Sequence, residues 1–209
     1  MHADGSDARL WFAATERNRE AIAAVLEPLL PHQGLVLEIA SGSGEHLCYF
    51  QQRFAASHPQ LRWQGSDPVL EHRSSLVAWA RVLGLQAMEP PLALDATVGP
   101  WPRLNPALML CINMIHIAPW QACEGLMAEA ASQLAPGALL VLYGPFLEAD
   151  VATSPSNEAF DASLRSRDSR WGLRQLEQVG ALAASHGLAP AGRWPMPANN
   201  LTVAFRRLG

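Results

Sequence analysis

The sequence contains no lysine: all 15 of its basic residues are arginine. That absence excludes a Schiff-base lysine and a P-loop, both of which need a lysine amine. Cysteine is scarce as well. Cys48, Cys111 and Cys123 make an odd count and form no CxxC, which argues against a disulfide framework or a structural zinc site and fits a reducing cytoplasm. Charged residues are few, at 16%. A net charge of −4 and a pI near 5.9 speak against general binding to nucleic acid or to an anionic membrane surface. Long apolar runs are missing too: ALMLCI and ALLVLYG are strand-length and far short of a membrane span. The opening MHADGSDARLWFAATERNRE carries acids and no apolar stretch, so no signal peptide is expected. What is present, 49% hydrophobic side chains over 209 residues, suits one folded domain and is too apolar for disorder.

Four apolar runs stand out, at 34–40, 61–65, 107–113 and 138–144, with a weaker one at 91–96. Bounded by Gly, Pro and Asp, they read as strands buried on both faces. Helical patterns alternate with them over 16–30, 45–57, 69–83, 119–134 and 173–186. This alternation predicts a parallel sheet with right-handed crossovers, a three-layer α/β sandwich. Residues 188–194 and 200–207 read as two strands joined by a short turn, an antiparallel edge after the last helix. A binding site is expected at the carboxyl ends of the parallel strands.

The first strand runs into a glycine turn, VLEIASGSG, and Glu45-His46 then opens a helix. Glycines allow a tight turn and close backbone approach, and the helix amino end offers unpaired N–H groups. A dinucleotide fingerprint needs a small residue three positions after Gly44, but Leu47 stands there. A nucleophile elbow needs GxSxG, and neither Ser41 nor Ser43 has that spacing. A mononucleoside-type ligand is left. Asp67, which follows the second strand, can accept from both ribose hydroxyls, and Asp95, closing the third, can meet an adenine amino group.

VLEIASGSGEH, Asp67, Asp95 and the LAPGALLVLYGPF strand together resemble the class I S-adenosylmethionine-dependent methyltransferases. TERNREAI, ASGSGEH, LCINMIHIAPW, SPSNEAFDASLRSRDSRWGLR and MPANN are similar to a methyltransferase-like family that includes animal methyltransferase-like 26. The resemblance implies a Rossmann-like three-layer fold whose mostly parallel seven-stranded sheet has an antiparallel C-terminal strand. It implies a single domain over 1–209, with an N-terminal helical cap over 1–30 and a lid insertion over 147–174. It also implies S-adenosylmethionine as cofactor, S-adenosylhomocysteine as product, and a small-molecule acceptor methylated by in-line transfer. The alternative is a non-catalytic protein that binds the same cofactor. No metal is implied, since HExxH is absent and no histidines have ligand spacing.

The expected cofactor residues are Arg17, Asn18, Glu38, Ala40, Gly42, Gly44, His46, Asp67, Asp95, Ala96 and Asn113. Glu38 would organise the glycine loop or the cofactor's amino-acid end, or else make a local turn contact. Arg17 would pair with the cofactor carboxylate, or belong to a salt-bridged helix face. His46 would touch the cofactor, or be an exposed helix residue. His116, after the fourth strand, could take a proton from a hydroxyl or amine; the alternative is a hydrogen-bonded loop support. Tyr143 is either a strand packing residue or part of the acceptor side.

Residues 154–174 are polar yet carry Phe160, Leu164, Trp171 and Leu173 as apolar anchors. Four arginines (Arg165, Arg167, Arg170, Arg174) oppose two aspartates over 161–174. A lid over the site could therefore grip an anionic acceptor through guanidinium forks, with Asn157 and Trp171 shaping the pocket, and Asn199 and Asn200 make either a hairpin turn or part of that pocket. Ion pairs to Asp161 or Asp168 are the competing use of those arginines.

Overall fold

The computed structural model describes residues 7–209, so the first six residues of the expected 1–30 cap lie outside it. The described chain forms two compact units, Met1–Leu94 and Asp95–Gly209. In the first unit the order is α1 (Ala13–Leu26), β1 (Gln33–Ile39), α2 (Glu45–Phe54), β2 (Gln60–Ser66), α3 (Leu70–Val82) and β3 (Met88–Leu92). β1 and β2 pair in parallel from Gln33↔Gln60 to Ile39↔Ser66, and β3 adds in parallel to β2.

The second unit begins with β4 (Leu108–Ile112), α4 (Trp120–Gln133), β5 (Leu139–Gly144) and β6 (Phe146–Leu147). It continues with α5 (Pro155–Arg167), β7 (Arg174–Gln175), α6 (Leu176–Ser185), β8 (Leu188–Met196) and β9 (Asn200–Arg207). β4 and β5 are parallel, whereas β9 runs antiparallel to both β5 and β8. Seven strands form a sheet in the order β3-β2-β1-β4-β5-β9-β8, and β6 and β7 make a separate small pair. Every residue of β4 and of β5 is buried, which is why these strands read as continuous apolar runs rather than alternating ones.

Several boundaries differ from expectation, each for a local reason. The first helix covers 13–26 rather than 16–30, and Pro28 sits at the start of the 3₁₀ turn that follows, where a residue without an N–H cannot prolong a helix. The weak third strand covers 88–92 rather than 91–96. It holds Pro90 and Pro91 and lies at the sheet edge, where missing donors are tolerated. Asp95 therefore does not close that strand. The last helix starts at Leu176 rather than 173 because Arg174–Gln175 pair with Phe146–Leu147 as β7. The antiparallel strand, β9, lies inside the sheet and β8 forms the edge. Among the described residues, no helix is long and apolar enough to cross a membrane.

Candidate functional site

In the first unit, the loop after β1 folds through three left-handed residues: Ala40 (φ 56°), Gly42 (φ 54°) and Gly44 (φ 82°). Gly44 caps α2 in that conformation, and a Cβ there would come within 2.6 Å of Leu76 Cα. Only glycine meets both conditions. Asp67 fastens the loop to the end of β2. Its Oδ2 accepts from Gly42 N at 3.1 Å and its Oδ1 from Val69 N at 2.9 Å. His72 Nδ1 lies 3.0 Å from Asp67 Oδ1 but makes no hydrogen bond there. A carboxylate has about four lone-pair sites, so Asp67 keeps acceptor capacity for a ligand.

Beneath the loop, Ser66 Oγ donates to Glu38 O at 2.9 Å. The Glu38 side chain is fully buried and its Oε2 has no partner. Burial pushes its carboxyl up to about 8; the Ser41 hydroxyl opposes that shift and the Asp67 charge adds to it. Leu47 is fully buried in α2 and packs toward Gly65 of β2. The small residue at this strand–helix contact thus stands on the strand, not on the helix.

His46 is buried rather than exposed, and Asn18 on α1 holds it: Nε2 lies 2.7 Å from Asn18 Oδ1. Because the amide oxygen only accepts, His46 Nε2 is the donor. Burial lowers the His46 pKa to about 3, with the Arg19 charge adding. Arg17 is exposed on α1.

Sequence reasoning missed the segment before α1. Leu10 N donates to Ser75 Oγ, Trp79 Nε1 donates to Leu10 O, and Phe12 N donates to Glu45 Oε2. These bonds set the Phe12 ring against Gly42, where a Cβ would be 3.0 Å from Phe12 Cε2. The partners are scattered over sequence separations of 33 to 69, so only the Glu45 in GSGEH offered any signal.

In the second unit, Asp95 and Ala96 fall in a turn. Asp95 Oδ1 accepts from Thr97 N and Thr97 Oγ1, a local use that corrects the expected placement at a strand end. Ala96 presents its carbonyl oxygen to Gly125 so closely that a Cβ there would collide with it.

β4 is followed at once by Asn113, which is left-handed (φ 57°) and donates its N–H to Tyr143 O at 2.8 Å. His116 follows, buried, and its Nδ1 has no hydrogen-bond partner. Gly144, at the end of β5, makes room for the ring: a Cβ would lie 3.1 Å from His116 Cε1 and 3.5 Å from Asn113 Oδ1. The Phe160 ring meets the imidazole edge-on at 5.7 Å. Burial, reinforced by the Arg174 charge, lowers the His116 pKa to about 4, leaving a neutral imidazole near pH 7.

Arg174 braces this loop by donating to the carbonyls of Ile115, Ala118 and Arg170. The other lid arginines are also engaged. Arg165 pairs with Asp161 at 2.8 Å, Arg170 pairs with Asp168 at 2.7 Å, and Arg167 lies over the Trp171 ring at 5.1 Å. The ion pairs to Asp161 and Asp168, the competing use expected for these arginines, are thus present for Arg165 and Arg170. Asn157 is buried and its Nδ2 donates to Asn199 O at 3.0 Å, so the two share one corner. Tyr143 is buried within β5. Among the described residues no cluster of His, Cys, Asp and Glu could hold a metal ion.

A family model described as "Protein of unknown function (DUF938)" matches residues 9–207. The fold is that of solved methyltransferases. An O-methyltransferase family 2 protein from Planctomyces limnophilus, in complex with apigenin, superposes with a TM-score of 0.77 at 20% identity, over 93% of this chain and 58% of that one. The S-adenosylmethionine-dependent methyltransferase SibL, in its apo form, gives 0.75 at 16% identity over 94% and 56%. An O-methyltransferase of neocarzinostatin biosynthesis, bound to S-adenosylmethionine and 2-hydroxy-5-methyl naphthoic acid, gives 0.71 at 18% identity over 93% and 55%. The chain spans a little over half the length of these enzymes.

Proposed function

The chain belongs to the DUF938 family, and from that premise we propose that it is an S-adenosylmethionine-dependent methyltransferase acting on a small molecule. The observation that carries the reading is the left-handed glycine loop after β1, whose Gly42 amide is bonded to the carboxylate that follows β2. The residues fit a nucleoside-bearing cofactor. Asp67 retains acceptor capacity for ribose hydroxyls, Gly44 lets the loop turn tightly against Leu76, and the orphaned Glu38 Oε2 is a buried polar atom in search of a partner. When bound, the cofactor would supply a methyl group already activated on a sulfonium.

The work left to the protein is binding, alignment and exclusion of water. Ala40, Gly42, Gly44 and Asp67 bind, with the Asn18–His46 pair supporting α1 against α2. His116 is the proton acceptor for the methylated hydroxyl or amine. Its neutral form predominates near pH 7 and its Nδ1 is not committed to another residue. Asn113 and Arg174 hold the loop that carries it, and Asn157, Asn199 and Tyr143 line the acceptor side. By the same reading the chain sits with the family that includes animal methyltransferase-like 26, on the strength of TERNREAI and SPSN…WGLR. Its three buried, unbridged cysteines support a cytoplasmic location.

A melting experiment tests the cofactor. Ligand at 100 times its Kd stabilises the native state by about 2.7 kcal/mol, a rise of roughly 5–10 °C for a chain this long. The shift is expected with S-adenosylmethionine or S-adenosylhomocysteine, absent with NAD, and largely lost in Asp67→Ala. A shift with NAD alone would sink the reading. Formation of S-adenosylhomocysteine in the presence of a metabolite extract separates an enzyme from a cofactor-binding protein.

A further inference from the structure

Resting on the methyl-transfer reading, we infer that Phe12 is a positioning residue of the cofactor site. It holds the His72 imidazole off the Asp67 carboxylate, so that both remaining acceptor positions of Asp67 stay free for the two ribose hydroxyls. All of these residues lie in the first unit. Asp67 is buried, and the amides of Gly42 and Val69 take two of its roughly four lone-pair sites. Two are left, the number that a vicinal diol needs.

His72 competes for one of them. Its Nδ1 stands 3.0 Å from Asp67 Oδ1, within hydrogen-bond distance, yet that nitrogen is buried and makes no hydrogen bond. A ring nitrogen this close to a carboxylate is there as a donor, since two lone pairs would repel. The imidazole is therefore turned so that its N–H misses the oxygen. A buried donor left unpaired is destabilising, so a contact must keep the ring from turning. Arg73 donates to the carbonyls of Asp67 and Pro68 at 2.7 and 2.9 Å, which fixes the backbone that carries the carboxylate but leaves the imidazole free.

Phe12 supplies the missing contact. Its ring meets the imidazole edge-on, with centroids 5.9 Å apart and planes at 83°. The segment that carries it is strapped to the glycine loop at Ser43 by two bridges. Ser75 Oγ accepts from Leu10 N at 2.8 Å and donates to Ser43 O at 2.6 Å. Glu45 Oε2 accepts from Phe12 N and from Ser43 Oγ, each at 2.8 Å. Trp79 Nε1 adds a tie to Leu10 O at 3.0 Å. The phenyl ring is thus held at one place, against Gly42 and His72, the two residues that flank the carboxylate through space.

The chemistry of the side chain suits that task. A phenyl ring has bulk but no hydrogen-bonding group, so it blocks the turn of the imidazole without bonding to Asp67 itself. It is also left 44% exposed, and Val69, whose amide is bonded to the same carboxylate, is 45% exposed. Apolar surface therefore lies open beside Asp67, where a nucleoside seated on the carboxylate would cover it.

The test is calorimetric, on the full chain, with S-adenosylhomocysteine and its 2′-deoxy and 3′-deoxy analogues. The wild type is expected to bind S-adenosylhomocysteine about tenfold or more tighter than either analogue, the value of one hydrogen bond to a charged group. Phe12→Ala keeps the backbone bond to Glu45 and removes a half-exposed ring, so the unliganded melting temperature should barely change. It should weaken S-adenosylhomocysteine binding about tenfold. It should leave the affinity for one analogue unchanged, the one whose missing hydroxyl would have met the acceptor taken by His72. Phe12→Leu, which keeps bulk against the imidazole, should bind like the wild type. Adding His72→Leu to Phe12→Ala should restore wild-type affinity. Wild-type affinity in Phe12→Ala, equal weakening toward all three ligands, or no rescue by His72→Leu would each overturn the inference and leave the cofactor reading standing. Failure of S-adenosylhomocysteine to bind the wild type would overturn both.

Discussion

In the first unit, the Glu38 carboxyl and the His72 Nδ1 apart, the polar groups around the glycine loop are wired to one another. Asp67 holds the amides of Gly42 and Val69, Glu45 holds Phe12 N and Ser43 Oγ, and Asn18 holds His46. In the second unit the equivalent position after β4 carries His116, whose Nδ1 is buried and unpartnered, in a loop braced from its backbone side by Arg174. The contrast separates two tasks. A loop that must present N–H groups in fixed directions is built in advance, because ordering it at the moment of binding would weaken affinity. On the proposed function, His116 is the group that exchanges a proton, and it is positioned but left uncommitted, since a firm partner would fix its proton.

Two glycine substitutions probe this contrast most severely. Gly44→Ala forces a Cβ against Leu76 in a left-handed residue, and Gly125→Ala drives one into the Ala96 carbonyl. Each should cost on the order of 3 kcal/mol, or about 6–12 °C in melting temperature. They should part company on ligand. Below its melting point Gly125→Ala should keep its affinity for S-adenosylhomocysteine, while Gly44→Ala should lose it, as calorimetry on the folded variants would show. Equal loss in both would erase the distinction between a wired loop and the rest.

The pH dependence of stability should show opposite slopes from the two kinds of buried group. Glu38 is raised from 4.5 to about 8. Between those values the folded state holds a proton that the unfolded state has lost, so its contribution falls as pH rises and levels off above about 8. His116 is lowered from 6.5 to about 4. As pH drops through that window the unfolded state takes up the proton first, and stability falls with falling pH. His46, lowered to about 3, acts in the same direction. Urea melts from pH 4 to 9 should show Glu38→Gln flattening the alkaline slope and His116→Gln easing the acid one. A Glu38→Gln curve parallel to the wild type would mean that the carboxyl is ionised when folded.

The smallest expected effect is a gain. Gly180 lies within α6 and a Cβ there meets nothing within 4 Å. Gly180→Ala should therefore stabilise by about 0.5–1 kcal/mol, read as a small rise in the urea midpoint.

The strands were legible because burial on both faces writes itself as unbroken apolar runs, as in LMLCI and LLVLYG. The glycine loop and Asp67 were legible because conformation and chain order confine them to few residue types. The arginines' partners were less legible. Local charge counting registers an excess, but Arg165 and Arg170 find aspartates four and two residues away, and Arg174 spends its donors on carbonyls more than fifty residues distant. The Phe12 clasp and the His116–Gly144 fit were silent for the same reason, since each depends on partners brought together only by the fold. Leu47 was read correctly as large, but the room made for it by Gly65 on the neighbouring strand could not be seen from the helix alone.

The three cysteines give the molecule built-in reporters of its own opening. Cys48, Cys111 and Cys123 are all buried and none is in a disulfide. Burial pushes the Cys48 and Cys123 thiols up to about 12, so at neutral pH the reactive thiolate is scarce as well as shielded. An alkylating reagent can therefore reach them only through transient exposure, and the rate of modification counts opening events rather than intrinsic reactivity. Cys48 stands on α2, four residues beyond Gly44, whereas Cys111 and Cys123 lie on β4 and α4. Peptide-resolved alkylation thus assigns each breathing motion to its own part of the chain, and a ligand seated on the glycine loop should slow the first clock most.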